Sequence, residues 1–345
     1  MKFFHLSDLH IGKQLHHYNM IAEQRDILGK IVALAEREKP DAVLIAGDIY
    51  DTPVPSAEAV SVFDEFLTAL NDLEPEVTVC IIAGNHDSAK RIDFASDILA
   101  KHRVMIAGMP PLTREETIRK VSFFDAYGEV CIYLLPFVKP SYVRNLNDSD
   151  ITTYDEAVRL VIERENIDTA KRNILVSHQF YTAAGREPET SDSEIRMVGG
   201  IENVDTAVLE PFDYAALGHI HKPEIIFEDL MAYSGSLEPL DRTETGSHGF
   251  IEGEISEEKQ QIEFVPFAKR MYIQVEVMIT EEMSASEIKD RIETELSYRG
   301  KDNIYEVVLT GSIDPEIEID FDDIKEDYLI SDIIYETKSR WDYDQ

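Results

Sequence analysis

Five short clusters in the 345-residue sequence carry side chains that bind metal ions or move protons: Asp8-Leu-His10, Gly47-Asp48-Ile-Tyr-Asp51, Gly84-Asn85-His86-Asp87, Ser177-His178 and Gly218-His219-Ile-His221. Imidazoles combined with oxygen ligands, with no thiolate at any of these points, suit borderline divalent ions such as Mn(II), Fe(II) or Zn(II) better than an all-oxygen Ca(II) site. Asp8, His10, Asp48, Asn85, His178, His219 and His221 are too many ligands for one ion that keeps a water position open. They suit two ions roughly 3.5–4 Å apart that share a carboxylate. The glycines ahead of Asp48, Asn85 and His219 fit tight turns that aim these side chains inward. Any one cluster alone is more often a capped turn or a surface loop, so the weight lies in all five occurring together.

These clusters fall at the ends of segments that read as strands. Short β-rich apolar runs at residues 3–6, 42–46, 77–82, 104–106, 130–135, 173–176 and 214–217 alternate with helical periodicity at 19–37, 56–70 and 154–165, the signature of α/β layering. In such folds ligands bind outside the carboxyl ends of the strands, so residues distant in sequence converge there. Segments at 232–233, 249–255 and 261–265 read as antiparallel hairpin additions. Composition shifts near residues 266–270, which predicts a division into residues 1–268 and a small α/β domain over 269–345. In the latter a strand at 271–278 precedes a helix opened by Ser284-x-x-Glu287, a capping-box pattern, and a second strand at 304–309. Residues 181–200 read as a long surface loop. Residues 314–327, with eight carboxylates, one lysine and interleaved Ile317, Ile319, Phe321 and Ile324, read as a solvated, partly extended edge.

The formal net charge is −35, from 33 Lys and Arg against 68 Asp and Glu, while 43% of residues are hydrophobic. That apolar content excludes wholesale disorder, and the acidity argues against a chain that holds DNA or an anionic membrane by bulk electrostatics. Cys80 and Cys131 each lie inside an apolar run and read as buried thiols without a disulfide framework. There is no run of 18 apolar residues and no signal-peptide core, which reads as a cytoplasmic protein without membrane association. Among the other histidines, His5 reads as a residue of the core or of the layer behind the ligands, and His16, His17, His102 and His248 as surface residues.

The ordered set D-x-H, G-D-x-x-D, G-N-H-D, H and G-H-x-H resembles the calcineurin-like metallophosphoesterase superfamily. The flanking residues, among them Ile11-Gly-Lys13, Ser88 and Tyr233-Ser-Gly-Ser236, are similar to its branch of double-strand-break repair nucleases. The resemblance implies a four-layer α/β/β/α sandwich with a small C-terminal DNA-capping domain. It implies that Asp8, His10 and His221 hold one ion, that Asn85, His178 and His219 hold the other, and that Asp48 bridges them. His86 would be no ligand, but would contact the phosphate and assist the leaving oxygen. Asp51 and Asp87 would stand behind the ligands, orienting an imidazole or closing a turn. Two Mn(II) ions per chain are implied, with Mg, Fe or Zn as alternatives.

The implied activities are 3′-to-5′ exonuclease action on double-stranded ends and endonuclease action on single strands or hairpins. The implied partners are DNA ends and hairpins, a second copy of the chain, and an ATPase in a heterotetramer. Two departures stand out: Asp51 occupies a position where relatives outside the bacterial branch often place a second catalytic histidine, and the sequence ends at Gln345 where relatives often continue into helices that grip the ATPase. Candidate phosphate contacts are Lys13, Lys90, Arg91, Arg186, Arg196, Lys222 and Arg242. The helix at 56–70, with Phe63, and the segment at 92–99 are candidate dimer faces. A small-nucleotide phosphodiesterase and a DNA-end scaffold are the alternative functions. Two divalent ions would bring positive charge to the point where the phosphate sits, so the acidity of the chain is compatible with DNA chemistry; the chain alone is expected to hold duplex DNA weakly at physiological salt.

Overall fold

The computed structural model describes residues 1–15, 18–147, 150–183, 202–227, 230–244, 246–256 and 260–338. The chain divides into two compact units, one formed by residues 1–13, 20–237 and 248–267, the other by 14–19, 238–247 and 268–345.

Two six-stranded sheets build the larger unit. The first runs in the order Gln260–Pro266, Gly249–Ile255, Lys2–Leu6, Ala42–Ala46, Thr78–Ile82, Val104–Ala107. The second runs Glu224–Ile226, Met231–Tyr233, Tyr214–Gly218, Arg172–His178, Gly128–Leu135, Arg119–Asp125. Side chains on a strand point alternately to its two faces, and the sequence uses both. Phe3, Leu44, Ala46, Cys80 and Ile82 of the first sheet share one buried core with Val130, Ile132, Ile174, Val176 and Tyr214 of the second. Their neighbours Phe4, Val43, Ile45, Val79 and Ile81 turn outward beneath the helices Ile21–Glu38 and Ala57–Asn71. Cys131, Tyr133, Leu175 and Ala215 turn out from the second sheet towards the helix Tyr154–Glu163. These layers form the expected α/β/β/α sandwich. Both cysteines are buried free thiols.

Several boundaries have local causes. Tyr18–Asn19 pairs with Gln14–Leu15 as a short hairpin, which delays the first helix to Ile21. Ser56 caps the second helix by accepting the Ala59 N–H, and Phe63, Phe66 and Leu70 face inward. Phe63 packs its ring 5.7 Å from that of Tyr50, so it belongs to the core and is withdrawn from the proposed dimer face; Val60, Phe94 and Ile98 are exposed. Met231–Tyr233 is no hairpin partner of its successor: it pairs parallel with Tyr214–Gly218 and antiparallel with Glu224–Ile226. Phe180–Thr182 is a strand parallel to Asn203–Asp205, so the predicted loop begins after it, and residues 184–201 lie outside the described residues. His248 is buried and not on the surface, its Nδ1 lying 2.9 Å from Ser236 Oγ. His16 and His17 lie outside the described residues. Among the described residues no helix is long and apolar enough to cross a membrane.

The smaller unit holds three parallel strands in the order Tyr272–Ile279, Ile304–Ser312, Leu329–Lys338. Ser284 and Glu287 form the predicted capping box, and Ile288, Ile292 and Leu296 of the helix Ala285–Ser297 pack on Val275, Val277, Val307 and Leu309. The third strand was not anticipated by periodicity. In the acidic stretch before it, Ile324 is buried, and Ile317, Ile319 and Phe321 pack partly against the same core. That stretch is thus anchored on its apolar side and is not a freely solvated edge. Glu306 of the central strand is fully buried, accepting from Gln274 Nε2 at 2.7 Å with Arg242 Nη1 at 3.8 Å.

Candidate metal centre

Every predicted ligand sits where a strand of the sandwich ends. Asp8 and His10 follow Lys2–Leu6, Asp48 follows Ala42–Ala46, Asn85 follows Thr78–Ile82, His178 closes Arg172–His178, and His219 and His221 follow Tyr214–Gly218. The turns are unusual: Asp8, His10, Asp48 and His219 all adopt positive φ, at 51°, 40°, 48° and 101°. Residues other than glycine rarely adopt that region, and such strain collects at functional sites. Close approach makes two glycines obligatory here. A Cβ on Gly47 would run into the His178 ring, and one on Gly84 into Asp48.

Backbone and side-chain hydrogen bonds stitch the turns together. Asp8 and His10 donate their N–H groups to the carbonyls of Gly47 and Asp48, at 3.1 and 3.0 Å. The His219 N–H reaches Asp8 Oδ1 at 3.1 Å, and the His86 N–H reaches Asp48 Oδ1 at 2.8 Å. Asp87 accepts from the N–H groups of Ile49, Tyr50 and Gly84 at 2.9–3.1 Å, so it ties the Asp48 turn to the Asn85 turn. Asp51 Oδ1 stands 3.3 Å from His10 Nδ1 and 3.2 Å from Lys13 Nζ.

Within this frame the side chains converge. One ligand atom each from Asp8, His10 and His221 lie within 4.8 Å of one another, as do those of Asp8, Asp48 and His178, and those of His10, Asp51 and His86. Asn85 Oδ1 lies 2.9 Å from both His178 Nε2 and His219 Nδ1. His178 Nδ1 is 2.7 Å from the Ala46 carbonyl, which can only accept; this fixes the tautomer and turns Nε2 towards Asn85 and Asp48. His86 sets its ring 4.8 Å from that of His10, with Nδ1 3.1 Å from the Asp51 carbonyl.

The electrostatics are those of a cluster built around cations. His10 is buried with Nδ1 facing Asp51 Oδ1, while its Nε2 has no hydrogen-bond partner, the Asp48 carboxylate standing 3.6 Å away, a costly arrangement unless something else engages that nitrogen. Burial pushes the His10 pKa down. Burial opposes charge on Asp48, but the His178, His10 and His86 imidazoles hold its carboxyl below the usual range. Burial would lower His178; the Asp48 carboxylate outweighs it and raises that imidazole to about 9. His219 is driven well down, first by burial and then by His178. Burial and the Asp48 charge lift Asp87 to about 6, while burial is outweighed at Asp51 by His10 and Lys13, leaving it at about 2. Two buried carboxylates, the Asn85 amide and four buried imidazoles form a donor set that fits divalent ions.

Sequence reading missed several supporting residues. Gln24 and Phe137 lie in no motif, and Ser7 and Ser234 lie in flanking stretches that carried the resemblance without a role being assigned to them. Ser7 Oγ donates to Asp8 Oδ2 and lies 2.8 Å from Ser234 Oγ, and the Phe137 ring stacks 6.2 Å from that of His219. His5 is fully buried, its nitrogens on Tyr214 and the Leu217 carbonyl, and burial lowers its pKa to about 3. Among the predicted phosphate contacts, Lys13 reaches Asp51, Lys90 and Arg91 are exposed on the short helix Ala89–Ile92, and Lys222 is exposed beside His221. Arg242 faces Glu306, and Arg186 and Arg196 lie outside the described residues.

This combination of a two-sheet sandwich and a histidine–carboxylate cluster at its strand ends marks a class. The chain belongs to the calcineurin-like phosphoesterase family, whose pattern matches residues 1–223. Over 241 residues it is 36% identical to the SbcD subunit of the nuclease SbcCD from Staphylococcus epidermidis, covering 69% of this chain. The match spans 61% of that relative's length. Two solved structures are distant likenesses. The TT1561 protein of Thermus thermophilus has a TM-score of 0.43 and 12% identity, covering 76% of this chain and 98% of that one. A dimetal phosphatase from Danio rerio has a TM-score of 0.39 and 15% identity, covering 74% and 93%.

Proposed function

We propose that the chain is a two-metal DNA nuclease, Mn(II)-dependent, that works with an SbcC-type ATPase in DNA repair and recombination. It acts as a 3′-to-5′ exonuclease on double-stranded ends and as an endonuclease on single strands and hairpins. Residues 1–268 form the nuclease domain and 269–345 the DNA-capping domain. The observation that carries this reading is the convergence of Asp8, His10, Asp48, Asn85, His178, His219 and His221 at the strand ends, in a chain similar to a nuclease subunit.

Asp8, His10 and His221 would hold one ion and Asn85, His178 and His219 the other, with Asp48 shared between them. Ions held there would supply positive charge for the phosphate oxygens and an activated water. The protein supplies the rest. The Ala46 carbonyl and the Asp51 carboxylate fix the rings of His178 and His10, so the ligand nitrogens stay aimed. His86 donates its Nδ1–H as a hydrogen bond to the Asp51 carbonyl and keeps that proton, which leaves Nε2 as the atom that delivers a proton to the leaving oxygen. Lys13, Lys90, Arg91 and Lys222 contact flanking phosphates, weakly in a chain of net charge −35.

The test is cleavage of end-labelled duplex and hairpin DNA with Mn(II), with and without the ATPase and ATP. Wild type shortens the duplex from its 3′ ends, and His86→Ala retains both ions while losing about 100-fold or more in rate. Equal rates would remove His86 from the mechanism. Turnover of a small diester with no preference for DNA ends would favour the nucleotide phosphodiesterase. Binding of DNA and ATPase without metal-dependent cleavage would favour the scaffold.

A further inference from the structure

The helix Ile21–Glu38 buries six residues, and five of them are apolar; the sixth is Gln24, 4% exposed. Its side chain leaves the helix for the loop that carries Asp8 and His10. Gln24 Oε1 accepts the Gly12 N–H at 2.9 Å, while Nε2 donates to the carbonyls of Leu9 at 3.2 Å and His10 at 2.8 Å. The amide can sit only one way round, because an N–H faces one end and two carbonyls face the other. This loop carries two of the site's strained residues, Asp8 and His10 at φ 51° and 40°, followed by Gly12 at 95°, a conformation glycine adopts freely. Such a backbone persists only when its surroundings over-determine it. Other bonds to it include those from Asp8, His10 and Ile11 to the carbonyls of Gly47, Asp48 and Ile49, the Asp51 N–H to the Ile11 carbonyl, the His219 N–H to the Asp8 carboxylate, and a local turn from Lys13 to His10. Gln24 holds it from the helix layer with three side-chain hydrogen bonds.

We infer that Gln24 is a positioning residue for the ion held by Asp8, His10 and His221. It acts by fixing the backbone from which Asp8 and His10 project, and touches neither ion nor substrate. The inference rests on the proposed ligand set and adds a residue that no motif contains. Replacement by Glu keeps the shape and the acceptor for Gly12, but sets a carboxylate against two carbonyl oxygens. Replacement by Met keeps the bulk and makes none of the three bonds.

The experiment is titration of the full chain with Mn(II) alone, followed by EPR, for wild type, Gln24→Glu and Gln24→Met, with thermal unfolding recorded in parallel. The expected result is that unfolding stays cooperative and one class of bound Mn(II) weakens about 10- to 100-fold. The second class moves less than about threefold. Turnover of bis-p-nitrophenyl phosphate falls in kcat at limiting Mn(II) and recovers when Mn(II) is raised, which a general loss of structure would not do. If both variants bind both ions as wild type does, the inference is wrong. It is also wrong if both variants lose cooperative unfolding, since Gln24 would then be an ordinary core residue. Wild type that binds no Mn(II) would overturn the ligand set itself, whereas wild type that binds two ions alongside unaltered variants overturns the positioning role alone.

Discussion

Gly84→Ala confronts the site with one added methyl group. The new Cβ would lie 2.7 Å from Asp48 Cγ and would overlap both Asp48 Oδ1 and the Asp48 backbone nitrogen. Carbon atoms rest about 3.5 Å apart, so the carboxyl carbon must retreat by about 0.8 Å. A rotamer change cannot provide this, because the backbone nitrogen is struck as well. The shift falls on Asp48, the proposed bridging ligand, and it also loosens the Gly84 N–H bond to Asp87 at 2.9 Å that ties the two turns. Overpacking of this kind costs about 1–3 kcal/mol of stability. Displacing a catalytic group by close to 1 Å costs about 100-fold in turnover. The assay is Mn(II)-dependent hydrolysis of bis-p-nitrophenyl phosphate, with thermal unfolding recorded on the same preparations. Gly29→Ala is the matched control: nothing lies within 4 Å of its added Cβ, in the helix Ile21–Glu38, and helix propensity predicts a gain of up to about 1 kcal/mol with activity unchanged. Turnover and metal binding of Gly84→Ala within twofold of wild type would refute the steric reasoning.

Three further outcomes follow from groups away from the ions. Burial pushes the Cys80 thiol up to about 12, so it should resist Ellman's reagent at pH 8 in the native protein and react only in denaturant; fast native labelling would contradict its placement between the sheets. The Arg172 guanidinium, 2.5 Å from Asp125 Oδ1, holds that carboxyl below its ordinary range. A depressed folded-state pKa stabilises above the unfolded value of about 4 and is lost as pH falls, so Arg172→Met should flatten the decline in urea midpoint below pH 4. An undiminished slope would show that the pair is idle. In the smaller unit the Tyr272 hydroxyl is buried 2.9 Å from Ser331 Oγ, and Tyr272→Phe should lower stability by about 1–2 kcal/mol in urea unfolding; no change would remove that contact from the account.

Much of the sandwich was legible because its strands are buried on both faces or alternate cleanly. The run Ala42–Ala46 is buried throughout, and the helix Ala57–Asn71 announces itself with Ser56 ahead of a regular apolar stripe. Strands exposed on one face and charged were harder. Arg119–Asp125, with no buried residue, and the final Leu329–Lys338 take their places from pairing partners that periodicity cannot see. The metal-binding clusters were visible because the chemistry demands particular side chains at turns. What supports those turns was not visible: Gln24 looks like any polar helix residue, and Phe137 like any core aromatic, until the loops they serve are folded against them. His248 was misjudged for a related reason, since only the fold brings Ser236 to its ring.

The central claim is that seven side chains from five separate turns form one site for two ions sharing the Asp48 carboxylate. Titration of the metal-free protein with Mn(II), read by low-temperature EPR, tests it most directly. Two ions per chain with the spectrum of an exchange-coupled pair are predicted, the coupling vanishing in Asp48→Ala. A single ion per chain, or two ions that behave as isolated spins in the wild type, would contradict it.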